Sequence, residues 1–504
     1  MIENKIINKI KKWAVVKPTQ KAVVCGKECL NYRELDTMSD ALAARINSYK
    51  INDNTQKPVL IIAKRSVKFV VAILATLKSA NYYIPVEQPF PNERIENILE
   101  QFPGQDYIII TDDRKNEFLK KTDQSKVIYI NGECLTDRED FQDIQYFYPE
   151  DSLVYMIFTS GTSGKPKGVL IKYSNLENLI EKFLGRLYCD AYKVLNVGVV
   201  ASFSFDASVK QMYGALFYGN TLAIAKKEDK MFVKKFNVFV KNNMIDVIDG
   251  TPSLYKMYMN QSSQNEWNIK RFVIGGEQLE WNLVNNFYDF VENQPEIVNV
   301  YGPTECCVDA SFFVINGKNQ NYKNENVPIG KPIKNAMFHI HTDDGRIAQV
   351  GEKGELYISG ALVGKGYYQS NKDSFYQDEK YGWTYKTGDI AFLRTDNNYE
   401  IVGRKDNQVK ILGNRLELSE VKKCICDIIH SDDVEIMFDS EKNKIYAFIL
   451  KKEVMIDNSV IYEELKKKLP KYGVPSSIKW VDEIPLNKNG KVDIKKLYSD
   501  SNEK

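Results

Sequence analysis

At 504 residues the chain is long enough for two or more domains, each with a core of its own, and its 43% hydrophobic and 27% charged residues are those of a soluble globular protein. With 69 Lys and Arg against 67 Asp and Glu, the net charge of +2 argues against nucleic acid or an anionic membrane as the main partner. The opening MIENKIINKIKKW is too charged for a signal peptide, and no apolar run reaches the ~18 residues of a spanning helix, so a cytoplasmic location is the default expectation.

The eight cysteines, at 25, 29, 134, 189, 306, 307, 424 and 426, are scattered and without paired zinc spacing, so they read as free thiols in a reducing compartment. Only three histidines occur, His339, His341 and His430, and none lies near a GxSxG elbow, which argues against a Ser-His-Asp hydrolase. His339 and His341 alternate and would share a strand face. A plain strand ending in the Asp343-Asp344-Gly345 turn is preferred there to a metal site.

In chain order, LNYREL (30–35) reads as a strand end leading into an amphipathic helix through Ile46. VLIIA (59–63) is a buried strand, residues 67, 70, 71, 74 and 77 form one helix face, and YYIPV (82–86) is the next strand. Strand, helix, strand implies a parallel α/β sheet with crossover helices. Residues 106–111 continue it, and Leu153–Phe158 and Val169–Ile171 are strands flanking a loop. A helix is expected from about 175 to 183, a strand at 194–201, and a further strand, helix, strand unit from Asp246 to Gly276.

Beyond Tyr301 short strands and turns (IGKPI, AMFHIHTDD, GELYISG, YKTGD) predict a β-rich subdomain. After Arg404 a small unit begins, with a helix from Ser419 burying Val421, Cys424, Ile425 and Ile428. Its strands are VEIMF and KIYAFIL, and its last helix is placed at 461–469. The boundary is placed at Asp406. The absence of a low-complexity linker there suggests a hinge with defined stops.

The loop FTSGTSGKPKG, Phe158 to Gly168, is where chemistry first shows. Glycines at 161, 164 and 168 let the chain bend tightly, while Thr159, Ser160, Thr162 and Ser163 supply hydroxyl donors and Lys165 and Lys167 positive charge, a composition suited to phosphate. Pro166 after Gly164-Lys165 breaks the Walker A spacing.

As a whole the loop resembles the signature of the adenylate-forming enzymes, the superfamily of acyl-CoA synthetases, luciferases and peptide-synthetase adenylation domains. LNYREL and LKSANYYIPVEQPFPNERI resemble that family's first core motifs, with departures at Ser79-Ala80-Asn81 and Glu87. YGPTE (301–305), GELYISG (354–360), YKTGD (385–389), GRKDNQVKILGNRLE (403–417) and NGKVD (489–493) follow in family order.

The resemblance implies an α/β enzyme with a large N-terminal core, residues 1–405, of two α/β subdomains plus a β-rich one. A small mobile α+β domain, 406–504, would be hinged at Asp406. It implies ATP and Mg²⁺, with Glu305 holding the metal, Thr304 bonding the α-phosphate and Lys167 acting beside the phosphate loop residues Thr159, Ser160, Gly161, Thr162, Ser163 and Gly164. Asn299 and Tyr301 would face adenine with Gly302 also in the nucleotide site, Asp389 with Arg404 nearby would take the ribose hydroxyls, and Lys491 would bridge substrate carboxylate and phosphate. Gly413 would meet a pantetheine arm.

Asp206 matches the family residue that pairs with the α-ammonium of an amino acid. The other pocket positions are Ala207, Lys210, Asp249, Val273, Gly275, Val300, Val308 and Asp309, closed by Lys491, a set similar to the glutamate-type pocket. A buried Lys210 without a partner would be costly, and an acidic substrate side chain would offset that. Asp249 could instead neutralise Lys210 and leave room for glutamine, and aspartate or aminoadipate remain open, because one methylene is worth only ~1 to 3 kcal/mol.

No carrier segment follows NGKVD, so the expectation is a freestanding domain that loads the phosphopantetheine of a separate carrier protein, with no nucleic acid or membrane partner. D-alanine–carrier ligases share this layout, although Lys210 argues against a methyl side chain. An acyl-CoA ligase would have no use for Asp206, and a non-catalytic relative would not need Lys491, Glu305 and Asp389.

Overall fold

The computed structural model describes the chain except residues 1, 50–55, 104–106, 115–118, 121, 131–145, 161–165, 262–266, 292, 320, 322–324, 371–372, 407, 412, 441, 452–455, 486–491 and 503–504. The described residues form two compact units. One comprises Met1–Gln88, Gly104–Phe158 and Gly168–Lys405; the other comprises Pro89–Pro103, Thr159–Lys167 and Asp406–Lys504.

The first unit is built on two largely parallel sheets. One has seven strands, in the order Gly366–Tyr367, Lys167–Lys172, Leu153–Thr159, Tyr82–Gln88, Pro58–Lys64, Ile108–Thr111, Val127–Tyr129. The other has nine, in the order Lys331–Pro332, Ser311–Ile315, Glu296–Tyr301, Arg271–Gly275, Val247–Gly250, Asn196–Val199, Thr221–Ile224, Lys21–Cys25, Glu28–Asn31. Its six middle strands, from Glu296–Tyr301 to Lys21–Cys25, run parallel. Their apolar runs are buried on both faces, as parallel strands covered by helices require.

Helix Val67–Lys78 packs against strands of both sheets and is therefore buried all round, not on the single face its periodicity suggested. Even Lys78 is buried. Its Nζ binds Asp36 Oδ1 at 2.5 Å and Asp40 Oδ1 at 2.7 Å, which makes an ammonium tolerable there. The expected helix near 175–183 runs as Tyr173–Leu179, a π turn at Ile180–Leu184, and Gly185–Tyr188.

An antiparallel sheet of Ala336–His341, Gly354–Gly360, Gly382–Leu393, Phe375–Asp378 and Tyr399–Arg404 completes this unit. His339 and His341 lie in a strand, as expected. Their rings share a hydrogen bond of 2.8 Å between Nδ1 of His339 and Nε2 of His341, and His339 Nε2 meets Ser359 Oγ at 2.7 Å.

In the second unit a core of Val421, Ile425, Ile436, Ile461 and Leu465 lies between helices Leu418–Ile429 and Asn458–Lys468 and the sheet Val434–Asp439, Lys444–Leu450, Ser477–Val481. Cys424 and Ile428 are only partly buried. The helix placed last by sequence is not the last: Ile494–Asn502 follows, and its Leu497 is buried. Its apolar residues span barely two turns, too few for periodicity to stand out. Helix Asn92–Leu99 groups here through a buried ion pair between Arg94 Nη1 and Glu420 Oε1 at 3.4 Å.

Among the described residues seven cysteines are free, and no helix is long and apolar enough to cross a membrane.

Candidate active site

Three neighbouring parallel strands of the nine-stranded sheet end side by side, with Asp249 opposite Val273, Ile274 opposite Asn299 and Gly275 opposite Val300. The carboxyl ends of such strands are the usual place for a ligand. Gly275 is required where it stands: a Cβ would lie 2.6 Å from Val300 Cγ2 and 2.7 Å from Val300 O.

Asn299 donates Nδ2 to Pro328 O at 2.8 Å, which leaves its Oδ1 as the accepting end. Tyr301 donates its hydroxyl to Asp389 Oδ2 at 2.6 Å, and Arg404 Nη1 donates to Asp389 Oδ1 at 2.6 Å. Asp389 and Arg404 are cross-strand partners, so antiparallel register delivers the pair. Each carboxylate oxygen accepts one protein donor there and keeps a second lone pair for a hydroxyl. Burial, then Asp389, pushes the Tyr301 phenol far above its usual range, so it stays a donor.

Residues 302–310 fold back on themselves. Ala310 N donates to Tyr301 O at 2.7 Å, and a Cβ on Gly302 would stand 2.2 Å from Val308 O. Cys307 at φ 53° and Val308 at φ 79° are both in the left-handed region, which a β-branched residue occupies only under strain. The fold-back returns Val308 and Asp309 to the strand ends that present Val300.

Glu305, in the 3₁₀ turn Thr304–Cys306, is fully buried and accepts the Tyr367 hydroxyl at 2.7 Å on Oε1. A hard carboxylate oxygen suits Mg²⁺, and no cluster of three metal-ligating side chains exists among the described residues. Such an ion would take most of its ligands from phosphate and water, the usual Mg²⁺ arrangement. Cys306 and Cys307 are buried beside it. Burial pushes the Cys307 thiol up to about 12, so it stays protonated and accepts from Tyr155 at 3.8 Å.

Helix Ala207–Leu216 opens with Asp206 at its N-cap and Ala207 as its first residue, and carries Lys210 one turn on. Lys210 Nζ is 3.2 Å from Asp249 Oδ2 and 3.0 Å from Asp309 Oδ2. Of the two readings of this ammonium, the structure favours the paired one: two carboxylates, brought from a strand end and from the 302–310 loop, already flank it. Burial alone pulls the Lys210 ammonium down, but Asp309 and then Asp249 outweigh it, and the net displacement is upward. Burial pushes Asp249 and Asp309 up, against the opposing effect of Lys210.

Two contributors escaped the sequence reading. Tyr188 donates to Asp249 Oδ1 at 2.7 Å, and Tyr367 holds Glu305. Neither carries a local signal, since each is an aromatic residue far along the chain from the acid it serves.

In the second unit Thr159 Oγ1 is buried and has no hydrogen-bond partner among the described residues, and Ser160 Oγ donates to Arg415 O at 3.2 Å. An orphaned hydroxyl at the mouth of a glycine-rich loop is what a phosphate oxygen would satisfy. Lys167 exerts a charge effect on Glu420. Asp406 Oδ1 accepts Gln408 N at 3.2 Å, and Gly413 adopts φ 75°. Gly161, Thr162, Ser163, Gly164 and Lys491 lie outside the described residues.

The family model described as "AMP-binding enzyme" matches residues 10–368. The chain belongs to the AMP-binding enzyme family. As a member of that family it is an adenylate-forming ligase. It is similar to surfactin synthase subunit 1 of Bacillus subtilis (strain 168), 31% identical over 490 residues, covering 95% of this chain and 13% of that protein. The chain thus spans a small part of this relative.

Among solved structures it resembles the Vibrio cholerae adenylation domain AlmE in complex with glycyl-adenosine-5'-phosphate, with TM-score 0.84, 21% identity, and 100% of this chain and 99% of that one covered. It also resembles NpsA-ThdA, an artificially fused adenylation-PCP di-domain from Klebsiella oxytoca, with TM-score 0.80, 21% identity, and 95% and 94% covered. These likenesses establish the adenylate-forming enzyme fold.

Proposed function

We propose that this AMP-binding enzyme activates an α-amino acid, glutamate in first place, as its adenylate and passes it to the phosphopantetheine thiol of a carrier protein supplied in trans. One observation carries the reading: Asp206 and Lys210 stand one helical turn apart on the helix facing the strand ends. An anion for the α-ammonium and a cation for a side-chain carboxylate are thereby set on one support. The AlmE complex with an aminoacyl adenylate and the fused adenylation-PCP protein are similar proteins whose ligand and partner agree with it.

In the first half-reaction an oxygen of the substrate carboxylate attacks the α-phosphorus of ATP and pyrophosphate leaves. In the second the carrier thiol attacks the adenylate carbonyl and AMP leaves. Neither step needs a protein nucleophile, so the chain's work is alignment and charge neutralisation. Asp389 would accept the ribose hydroxyls, Asn299 Oδ1 the adenine amine, and the Tyr301 ring would stack on the base. Thr304, Thr159 and Ser160 would bond phosphate oxygens, with Gly161, Thr162, Ser163 and Gly164 completing the cradle beside Lys167. Glu305 would hold Mg²⁺, which when bound draws negative charge from the phosphates. Lys491 would neutralise the developing charge, carried by a domain, 406–504, turning at Asp406. Gly413 would leave room for the pantetheine arm.

The pairing of Lys210 with Asp249 and Asp309 favours one second reading, neutral glutamine. ATP–pyrophosphate exchange over the twenty amino acids and D-alanine tests all of these. Exchange led by glutamate supports the proposal, exchange led by glutamine replaces the substrate, and exchange with none removes amino acid activation. Thioester formation on a phosphopantetheinylated carrier added in trans tests the second step.

A further inference from the structure

The proposed side-chain pocket has a floor more negative than positive before any substrate enters. Lys210 is 4% exposed and Asp249 and Asp309 are each 3% exposed, and the ammonium is within 3.2 Å of both acids. One ammonium between two carboxylates sums to −1. A glutamate side chain would bring a third carboxylate into this dry place, and an uncompensated buried charge is strongly disfavoured.

The two acids are not equivalent. Asp249 accepts the Tyr188 hydroxyl at 2.7 Å on Oδ1, and Gln211 also acts to lower its pKa. Among the described residues Asp309 takes a side-chain hydrogen bond only from Lys210, on Oδ1 at 3.2 Å with Oδ2 3.0 Å from the same ammonium, and it has no counterpart of the Tyr188 hydroxyl. Tyr188 is held in place by a bare backbone seat, since a Cβ on Gly214, in the helix that carries Lys210, would lie 2.3 Å from the Tyr188 ring. Hydrogen bonds to an ionised carboxylate favour the ion, so of the two Asp309 is the one built to take a proton.

We propose that an acidic substrate side chain enters this pocket together with one solvent proton, which Asp309 receives, and that Tyr188 is the positioning residue that keeps Asp249 ionised beside Lys210. The inference rests on the glutamate reading and specifies how it works. The proton bonds to an Asp309 carboxylate oxygen, which then donates to the incoming carboxylate. The floor with its guest then sums to −1, as it did empty.

Burial raises both acids from their usual range, and the Tyr188 phenol, buried against Asp249, stays protonated. The other titratable or charged groups facing the cluster are Tyr255 toward Asp249, Cys307 toward Asp309, Arg271 toward Tyr188, and Asp206 beyond Cys307. Tyr255 is raised far above its range by burial and Cys307 to about 12, so neither titrates with the acids.

The test is the ratio of kcat/KM for glutamate to that for glutamine in ATP–pyrophosphate exchange by the unaltered protein from pH 6 to 9. One proton bound with glutamate and none with glutamine makes the ratio fall about tenfold per pH unit on its alkaline limb. D309N puts an amide where the protonated acid would be, so the ratio should become flat and glutamate kcat/KM at pH 9 should rise. Y188F should move the falling limb and raise KM for glutamate more than it lowers kcat. A pH-independent ratio in the unaltered protein, with glutamate still exchanged, overturns the proton coupling and leaves the glutamate reading standing. Absence of exchange with glutamate at every pH overturns both.

Discussion

Tyr301 and Asp389, 88 residues apart in the chain, meet in a 2.6 Å hydrogen bond from phenol to carboxylate. The contact ties the YGPTE motif, at the end of a parallel strand, to the YKTGD motif in the antiparallel sheet. Two motifs that sequence can only place in order become one wall, against which the proposed nucleotide would lie.

That wall predicts unequal losses. D389N removes the charged acceptor of Arg404 and of two proposed ribose hydroxyls, and should raise KM for ATP roughly 10- to 100-fold, the effect of about 1.5 to 3 kcal/mol for charge-assisted bonds. Y301F removes one donor and should cost less than about tenfold. Exchange kinetics with varied ATP measure both, and an equal loss in the two variants would contradict the arrangement.

Lys210 predicts a stability effect apart from selectivity. K210M strands two buried carboxylates and should destabilise the first unit by about 3 to 5 kcal/mol. The neutral triple variant K210M/D249N/D309N should recover most of the lost melting temperature while failing to recover glutamate exchange. Thermal melts and exchange assays on the same preparations read the two separately.

Gly275 and Gly302 predict steric losses. A Cβ at either meets backbone oxygen, at 2.7 and 2.2 Å, and backbone cannot swing aside as a flexible side-chain end can. G275A and G302A should each lose about 1 to 3 kcal/mol of stability, as overpacking does, and raise KM for the amino acid more than for ATP in G275A.

His339 predicts a pH effect on the fold. Burial first, then the neighbouring His341, lowers its pKa from 6.5 to about 4. Between those values the unfolded chain holds a proton on this residue that the folded chain does not, so its contribution to stability is full above 6.5 and is lost as pH falls toward 4. The melting temperature of the unaltered protein should therefore drop relative to H339Q from pH 7 to pH 4, and parallel curves would contradict the assignment.

K491A should slow pyrophosphate exchange about 100-fold or more while leaving ATP binding near normal, as expected for a group acting in the transition state. Isothermal titration with ATP set beside the exchange rate checks this.

Local pattern alone carried the strands VLIIA and YYIPV, the helix that begins at Tyr32 within LNYREL and the β-rich texture beyond Tyr301, because side-chain periodicity and turn residues act over a few positions. It carried the adenylate-forming motifs for the same reason: FTSGTSGKPKG and YGPTE are contiguous strings. Where packing on two sides overrides one-sided periodicity, as in Val67–Lys78, or where a helix is as short as Ile494–Asn502, pattern was insufficient.

By itself, then, the sequence determined the family and the order of the α/β and β-rich parts, and it nominated the charged side chains of the candidate site. Only the tertiary structure decided the partners of those charges. Lys210 with Asp249 and Asp309, Tyr188 with Asp249, and Tyr367 with Glu305 are each brought together by sheet register or a folded-back loop across tens of residues. The electrostatic meaning of a buried charge depends on its nearest neighbours in space, and those are set by how the chain closes on itself.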